Sequence, residues 1–192
     1  MTSESAAALS AWESFYVIVG ASGGALIGLQ FVVVTLIAER RPKTSGEALQ
    51  AFATPTVVHL TGALAVSALM SVPWPGVVTV SMVLGACGLA GVIYSAIVLR
   101  RAHRQTEYRP VWQDWVWYGL LPAVAYLLLI VGAVTLHDDP SVAFFLIGAA
   151  ALGLLLMGIH NAWDTVTHIV FHTDDDDLKH PAPGAARSKS RP

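Results

Sequence analysis

The chain has 192 residues, of which 55% are hydrophobic and only 12% are charged, and its mean hydropathy is +0.60. An average soluble domain carries about 25% charged residues, so this composition excludes a water-soluble globule and an intrinsically disordered chain. The single cysteine, Cys87, excludes a disulfide-stapled fold. The formal net charge of −2 argues neither for nor against nucleic acid, and we expect no nucleic-acid partner. The composition is that of a polytopic helical membrane protein.

Five segments are apolar and long enough to cross the hydrocarbon core as helices, which takes about 20 residues. In chain order they are residues 14–38, 55–73, 77–99, 115–136 and 141–163, the last with a helical extension to residue 171. The second segment is the weakest, because His59, Thr61 and Ser67 interrupt it. Residues 1–172 therefore predict an all-α bundle of five membrane spans, and we expect the polar tail, residues 173–192, to be disordered.

The basic residues predict how the bundle is oriented. All 11 follow the first span, follow the third span or lie in the tail: Arg40, Arg41, Lys43, Arg100, Arg101, Arg104, Arg109, Lys179, Arg187, Lys189 and Arg191. The positive-inside rule places these regions in the cytoplasm. The prediction is an N-terminus outside, a cytoplasmic C-terminus and five crossings. Basic residues precede span two and follow span three. These two spans must therefore either both cross the membrane or both fail to cross it.

The first span contains a sequence pattern as well as an apolar run. It reads W-E-S-F-Y-V at residues 12–17 and, after Gly20, A-L-I-G-L-Q-F-V at residues 25–32. This W-x-x-F-Y-V…A-L-x-G-L-x-F-V pattern resembles the opening of a family of small bacterial integral-membrane proteins of unknown function. The resemblance implies a multi-pass location in the bacterial cytoplasmic (inner) membrane and supplies no catalytic residues.

Three glycines recur every four residues in the first span: Gly20, Gly24 and Gly28. Positions without a Cβ let another helix approach closely, as in the G-x-x-x-G motif. We expect these helix-packing glycines to face another helix of the same chain, with homodimerisation as the alternative.

The inner end of the fifth span carries His160, Asp164, His168 and His172, again at intervals of four. On a helix such neighbours lie one above the other, on a face that drifts about 40° per step. A His–Asp pair at this spacing can hydrogen-bond, and two histidines can share a metal ion. The alternative is that the residues from Asp164 onward already lie in water on an amphipathic extension.

Other polar residues lie at a similar predicted depth in the inner half of the bundle. The candidate intramembrane cluster is Gln30, His59, His160, Asn161, Asp164 and His168. Ionisable side chains are costly inside a membrane, so they indicate a functional site by default.

The chain lacks the C-x-x-C-H, G-x-x-x-x-G-K and H-E-x-x-H motifs. We therefore expect a non-enzymatic structural, regulatory or accessory bundle, without a cofactor, that contacts the lipid bilayer and a homo-oligomeric or membrane-protein partner. One alternative is a proton or ion conductor that uses the His/Asp row of the fifth span. Another is a redox protein that holds haem or a metal ion between His59 and a histidine of the fifth span.

Overall fold

The computed structural model describes residues 3–40, 46–104 and 116–179, with side chains described over residues 11–36, 54–100 and 116–167. Within these ranges the secondary structure is helical, without a strand. The helices are α1 (Ser3–Arg40), α2 (Gly46–Met70), α3 (Val77–Arg104), α4 (Leu121–Thr135) and α5 (Pro140–Lys179). A π-helical turn, Val116–Leu120, leads into α4. The all-α bundle predicted from the sequence is confirmed.

Four of the helices contain a segment long and apolar enough to cross a membrane. These segments are Ala11–Leu36, Val77–Arg100, Val116–Thr135 and Pro140–Thr167. The apolar part of α2, Thr54–Met70, is shorter and rises about 25 Å, near the lower limit for a span. The fold is therefore that of a multi-pass membrane protein with four long apolar helices and a shorter fifth one.

Helix α5 lies at the centre of the bundle and packs against α1, α2 and α4, whereas α3 packs mainly against α4 at the edge. The core between these helices consists of aliphatic side chains, such as Leu60, Val66, Leu129, Ile147 and Leu154. The opposite faces of the outer helices expose large apolar side chains, which a bilayer would cover.

Helices α1 and α2 run antiparallel, and two glycines of α1 form their contact. A Cβ on Gly20 would lie 3.0 Å from Cβ of Ser67, and a Cβ on Gly23 would lie 3.3 Å from the carbonyl oxygen of Leu60. Among the described residues, no atom lies within 4 Å of a Cβ position on Gly24 or Gly28. The expected intrachain packing therefore holds for Gly20 but not for Gly24 or Gly28, and Gly23 makes the second contact.

The N-terminal part of α1 packs against α5 through a cluster of aromatic rings. The ring of Trp12 meets that of Phe145 edge-on at 4.8 Å between centroids and lies nearly parallel to that of Phe144 at 6.5 Å. Gly148 allows this approach, because a Cβ there would lie 2.6 Å from Cζ3 of Trp12. The hydroxyl of Tyr16 also donates to the carbonyl oxygen of Phe144 at 3.4 Å. These contacts fix where α1 enters the bundle.

The ends of two helices differ from the sequence-based boundaries. Helix α2 ends at Met70, and the indole Nε1 of Trp74 donates to the carbonyl oxygen of Leu69 at 2.7 Å, which closes the turn before α3. Helix α5 continues to Lys179, so the expected disorder of the tail is wrong for residues 173–179. An existing helix adds one hydrogen bond for each residue it gains, which favours such an extension. Residues 180–192 lie outside the described residues.

Candidate functional site

The interior of the bundle contains a small set of buried polar side chains. They are Gln30, Thr56, His59, Ser67, Ser95, Asn161 and Thr165. Over the described side chains, this buried set contains histidine as its only titratable type and no aspartate, glutamate, lysine or arginine. The interior polarity is therefore mostly that of neutral hydrogen-bonding groups.

His59 is almost fully enclosed, with 1% of its surface exposed. Its Nδ1 lies 3.5 Å from the hydroxyl oxygen of Tyr126 on α4, and the ring of Tyr94 on α3 meets its ring edge-on at 6.4 Å between centroids. His59 thus brings α2 together with α3 and α4, and its Nε2 has no hydrogen-bond partner in the described protein.

Two glycines make room for Tyr126 in this arrangement. A Cβ on Gly91 of α3 would overlap the Tyr126 ring, and a Cβ on Gly62 of α2 would lie 3.2 Å from the Tyr126 hydroxyl. The phenol therefore passes between α2 and α3 only because both positions lack a side chain. Tyr126 is a site residue that the sequence reasoning did not include. The available signal was that Leu121–Thr135 contains no polar side chain besides Tyr126 and Thr135.

Asn161 is fully buried on α5, and neither its Nδ2 nor its Oδ1 has a partner among the described protein atoms. Its backbone carbonyl accepts a hydrogen bond of 2.8 Å from Oγ1 of Thr165, one turn farther along. This bond occupies the threonine and leaves the asparagine amide free.

Helix contacts show which residues share the level of Asn161. Gly158 of α5 contacts Leu60, and Leu154 lies beside Gly62, so α2 and α5 are antiparallel. Three residues beyond Gly158, about 4.5 Å along the axis, Asn161 therefore lies level with the turn between Thr56 and His59.

Gln30 reaches the same level from α1. Gly23 lies beside Leu60 and Leu64, and Gln30 follows it by seven residues, about 10 Å along an antiparallel helix. This distance corresponds to the position of Thr56 on α2. The structure thus places Gln30, Thr56, His59 and Asn161 near one level of the bundle, and we call these four buried residues the polar layer.

The remaining predicted residues lie to one side of the polar layer. The ring of His160 is half-buried and stacks on that of Trp117 in the π-helical turn, at 3.7 Å between centroids and 20° between planes. Asp164 is exposed, and one of its carboxylate oxygens accepts a hydrogen bond from the Tyr118 hydroxyl at 3.4 Å. His160 and Asp164 therefore face the π-helical turn. The side chain of His168 lies outside the described residues.

The π-helical turn has a local cause. Pro122 has no N–H and cannot donate to the carbonyl of Tyr118, which disturbs the regular ladder at this point. Gly119 in the same turn allows close contact with Leu99 of α3. The turn therefore connects α3 to the end of α5 that carries His160, and Trp117 is a second residue of this region that the sequence did not reveal.

The described geometry bears on two kinds of chemistry, metal binding and nucleophilic catalysis by a serine. Among the described side chains, no group of three or more His, Cys, Asp and Glu lies close enough to hold a metal ion. Residues 20–24 read G-A-S-G-G, which fits the G-x-S-x-G pattern of a nucleophilic serine, but Ser22 lies inside α1. A nucleophile elbow requires a sharp turn between a strand and a helix, so Ser22 does not have that environment.

Comparisons with known proteins identify no relative of this chain. No family model, no curated protein and no solved structure matches this chain.

Proposed function

We propose that this chain is a non-enzymatic integral membrane protein, a structural, regulatory or accessory bundle of the bacterial cytoplasmic membrane. The multi-pass fold supports a permanent membrane location. The basic segments support an N-terminus outside and a C-terminus in the cytoplasm, and the pattern of the first span supports a bacterial protein of the resembling family.

The contact between His59 and Tyr126 is the observation that carries this proposal. It joins α2, which packs mainly against α1 and α5, to α4, which packs against α3 and α5. The contact depends on Gly62 and Gly91. An ionisable side chain inside a membrane protein commonly pairs with another polar group. Here the pairing supports a role for His59 in helix association.

The part of the bundle beyond His59, on the side away from the π-helical turn, supports a bundle that does not conduct ions. Leu60, Ala63, Val66, Ile147 and Leu154 are buried there with at most 2% of their surface exposed. A proton or ion route needs polar groups or water along its length. Apart from Ser67, the buried side chains of α2 beyond His59 are apolar. The His/Asp row at the π-helical turn therefore has no visible continuation through the described part of the bundle.

The surroundings of His59 also support a role without a redox cofactor. The rings of Tyr94 and Tyr126 flank the imidazole with centroids 6.4 and 6.2 Å away, and the imidazole is almost fully enclosed. Haem ligation needs room for a porphyrin directly in front of a ring nitrogen of the imidazole. His160 is engaged with Trp117 instead.

A flux assay tests the proposal against conduction. The purified protein is reconstituted into liposomes that contain a pH-sensitive dye, and a pH step is applied between pH 5 and pH 8, where histidine titrates. We expect the same proton leak as in protein-free liposomes for the wild type and for His59→Phe. A wild-type leak above that of protein-free liposomes would contradict the proposal, and its loss in His59→Phe would place His59 on the route. Ser81→Ala on α3, which leaves the polar layer intact, is the control for reconstitution.

A further inference from the structure

Asn161 presents an unusual hydrogen-bonding problem inside the bundle. Its side-chain amide can donate two hydrogen bonds and accept two, and the described protein supplies none of them although the residue is fully buried. Leaving a buried polar group unsatisfied is costly, and in hydrocarbon surroundings water from the bulk does not compensate.

His59 has a matching free group. Its Nδ1 contacts Tyr126, but its Nε2 is buried and has no partner among the described protein atoms. This nitrogen is a donor or an acceptor according to the tautomer, so in either form it offers one hydrogen-bond position. The two unsatisfied side chains belong to α2 and α5, which pack directly against each other.

The two side chains also lie near one level. Asn161 is level with the turn of α2 between Thr56 and His59, as the contact between Gly158 and Leu60 indicates. One helical turn is about 5.4 Å, so the two side chains lie no more than about one turn apart along the bundle axis. Closely packed apolar residues such as Ala63 and Leu154 lie beyond them and restrict a small molecule between the helices to this level.

We propose that the bundle binds internal water at this level, held by the amide of Asn161 and by Nε2 of His59. Buried water in proteins typically makes about three hydrogen bonds to polar groups that the protein leaves unsatisfied. Water is small, neutral and both donor and acceptor, so it fits an amide and an imidazole nitrogen in any tautomer. The site satisfies two otherwise costly side chains and links α2 to α5. This inference is independent of the proposed function.

Asn161 is the only asparagine of the chain, which allows a direct test. Protein labelled with ¹⁵N in the asparagine side-chain amide gives a single NH₂ group in solid-state NMR spectra of bilayer samples. The measurement is the transfer of magnetisation from water to this amide. We expect clear transfer at mixing times too short for diffusion through the protein, despite the complete burial of the residue. An amide that receives no water magnetisation while the glutamine side chains of a second, glutamine-labelled sample do would overturn the proposal.

A pair of variants tests whether His59 shares the site. His59→Phe keeps a ring of similar size and removes both nitrogens, so one of the protein groups that hold the water is lost. We expect the water-to-amide transfer at Asn161 to fall about twofold, because fewer hydrogen bonds hold the molecule. Ser67→Ala is the control: it removes a buried, unpartnered hydroxyl of α2 about 12 Å farther along the helix than His59. We expect this substitution to leave the water-to-amide transfer unchanged. An unchanged transfer in His59→Phe would remove His59 from the site, and a misfolded His59→Phe leaves the wild-type measurement to decide the hydration itself.

Discussion

The hydroxyl oxygen of Tyr126 lies 3.5 Å from Nδ1 of His59, inside a bundle whose other buried side chains are largely aliphatic. The contact connects α4 to α2 through a gap that Gly62 and Gly91 leave open. Van der Waals packing and interhelical hydrogen bonds drive helix association in membranes, so such a contact contributes to the fold even when its energy is modest.

A double-mutant cycle measures what this contact contributes. His59→Phe and Tyr126→Phe each remove one partner and keep the ring. We expect a coupling free energy of about 0.5–1.5 kcal/mol in the free energy of unfolding, the range found for interhelical hydrogen bonds in membranes. The measurement is unfolding in mixed micelles. Tyr16→Phe, whose hydroxyl bonds to the carbonyl oxygen of Phe144 at the other end of the bundle, should be additive with His59→Phe. A coupling of zero for the Tyr126 pair would show that the contact has no energetic role.

Gly91→Ala tests the steric basis of the same site. The added Cβ would overlap the ring of Tyr126, and the ring can move only into packed neighbours. We expect a loss of about 1–3 kcal/mol of unfolding free energy, as for overpacked cores.

Gly24→Ala is the matched control for Gly91→Ala. It makes the same chemical change on a helix face where nothing lies within 4 Å of the new Cβ. We expect no loss of unfolding free energy, because alanine is the better helix former. Equal destabilisation by the two variants would contradict the contact between Gly91 and Tyr126, whereas destabilisation by Gly24→Ala alone would indicate a second copy of the chain on this face.

Trp12→Ala tests the aromatic cluster between α1 and α5. The indole contacts the rings of Phe15, Phe144 and Phe145, and each aromatic pair contributes about 0.5–1.5 kcal/mol beyond its area. We expect a loss of about 1–3 kcal/mol in the free energy of unfolding. Trp163→Ala removes an indole that is 70% exposed and should cost much less. The cluster would have no special role if the two substitutions had equal effects.

Hydropathy predicted the all-α bundle well, because about 20 apolar residues have few options other than a membrane-spanning helix. It did not predict where the helices end. Helix α1 (Ser3–Arg40) begins before its apolar span, and α5 (Pro140–Lys179) continues well beyond its own. In these polar stretches hydropathy gives no signal, but the hydrogen bonds of the helix continue.

The positions of individual side chains around each helix were harder to predict. Gly24 and Gly28 lie about 40° and 80° around α1 from Gly20, whereas Gly23 lies about 60° to the other side. Helix α2 contacts Gly20 and Gly23, so the four-residue repeat rotates away from it. A sequence repeat shows that positions share a stripe but not which neighbour the stripe faces.

The candidate site shows the same limit. Depth along the spans grouped Gln30, His59 and Asn161, and the structure places them near one level. Depth alone did not indicate that Tyr126 reaches His59 or that His160 turns toward Trp117. Those contacts depend on which helices are neighbours, and the chain order does not determine this.

The crossing of α2 decides the topology of the bundle, because the cytoplasmic position of the basic segments before α2 and after α3 depends on it. Single cysteines at the two ends of α2, Ser45→Cys and Ser71→Cys in a Cys87→Ala background, can be reacted with a membrane-impermeant maleimide in intact cells. We predict labelling of the cysteine at position 71 from outside and labelling of the one at position 45 only after permeabilisation. Labelling of both from the same side would contradict five crossings.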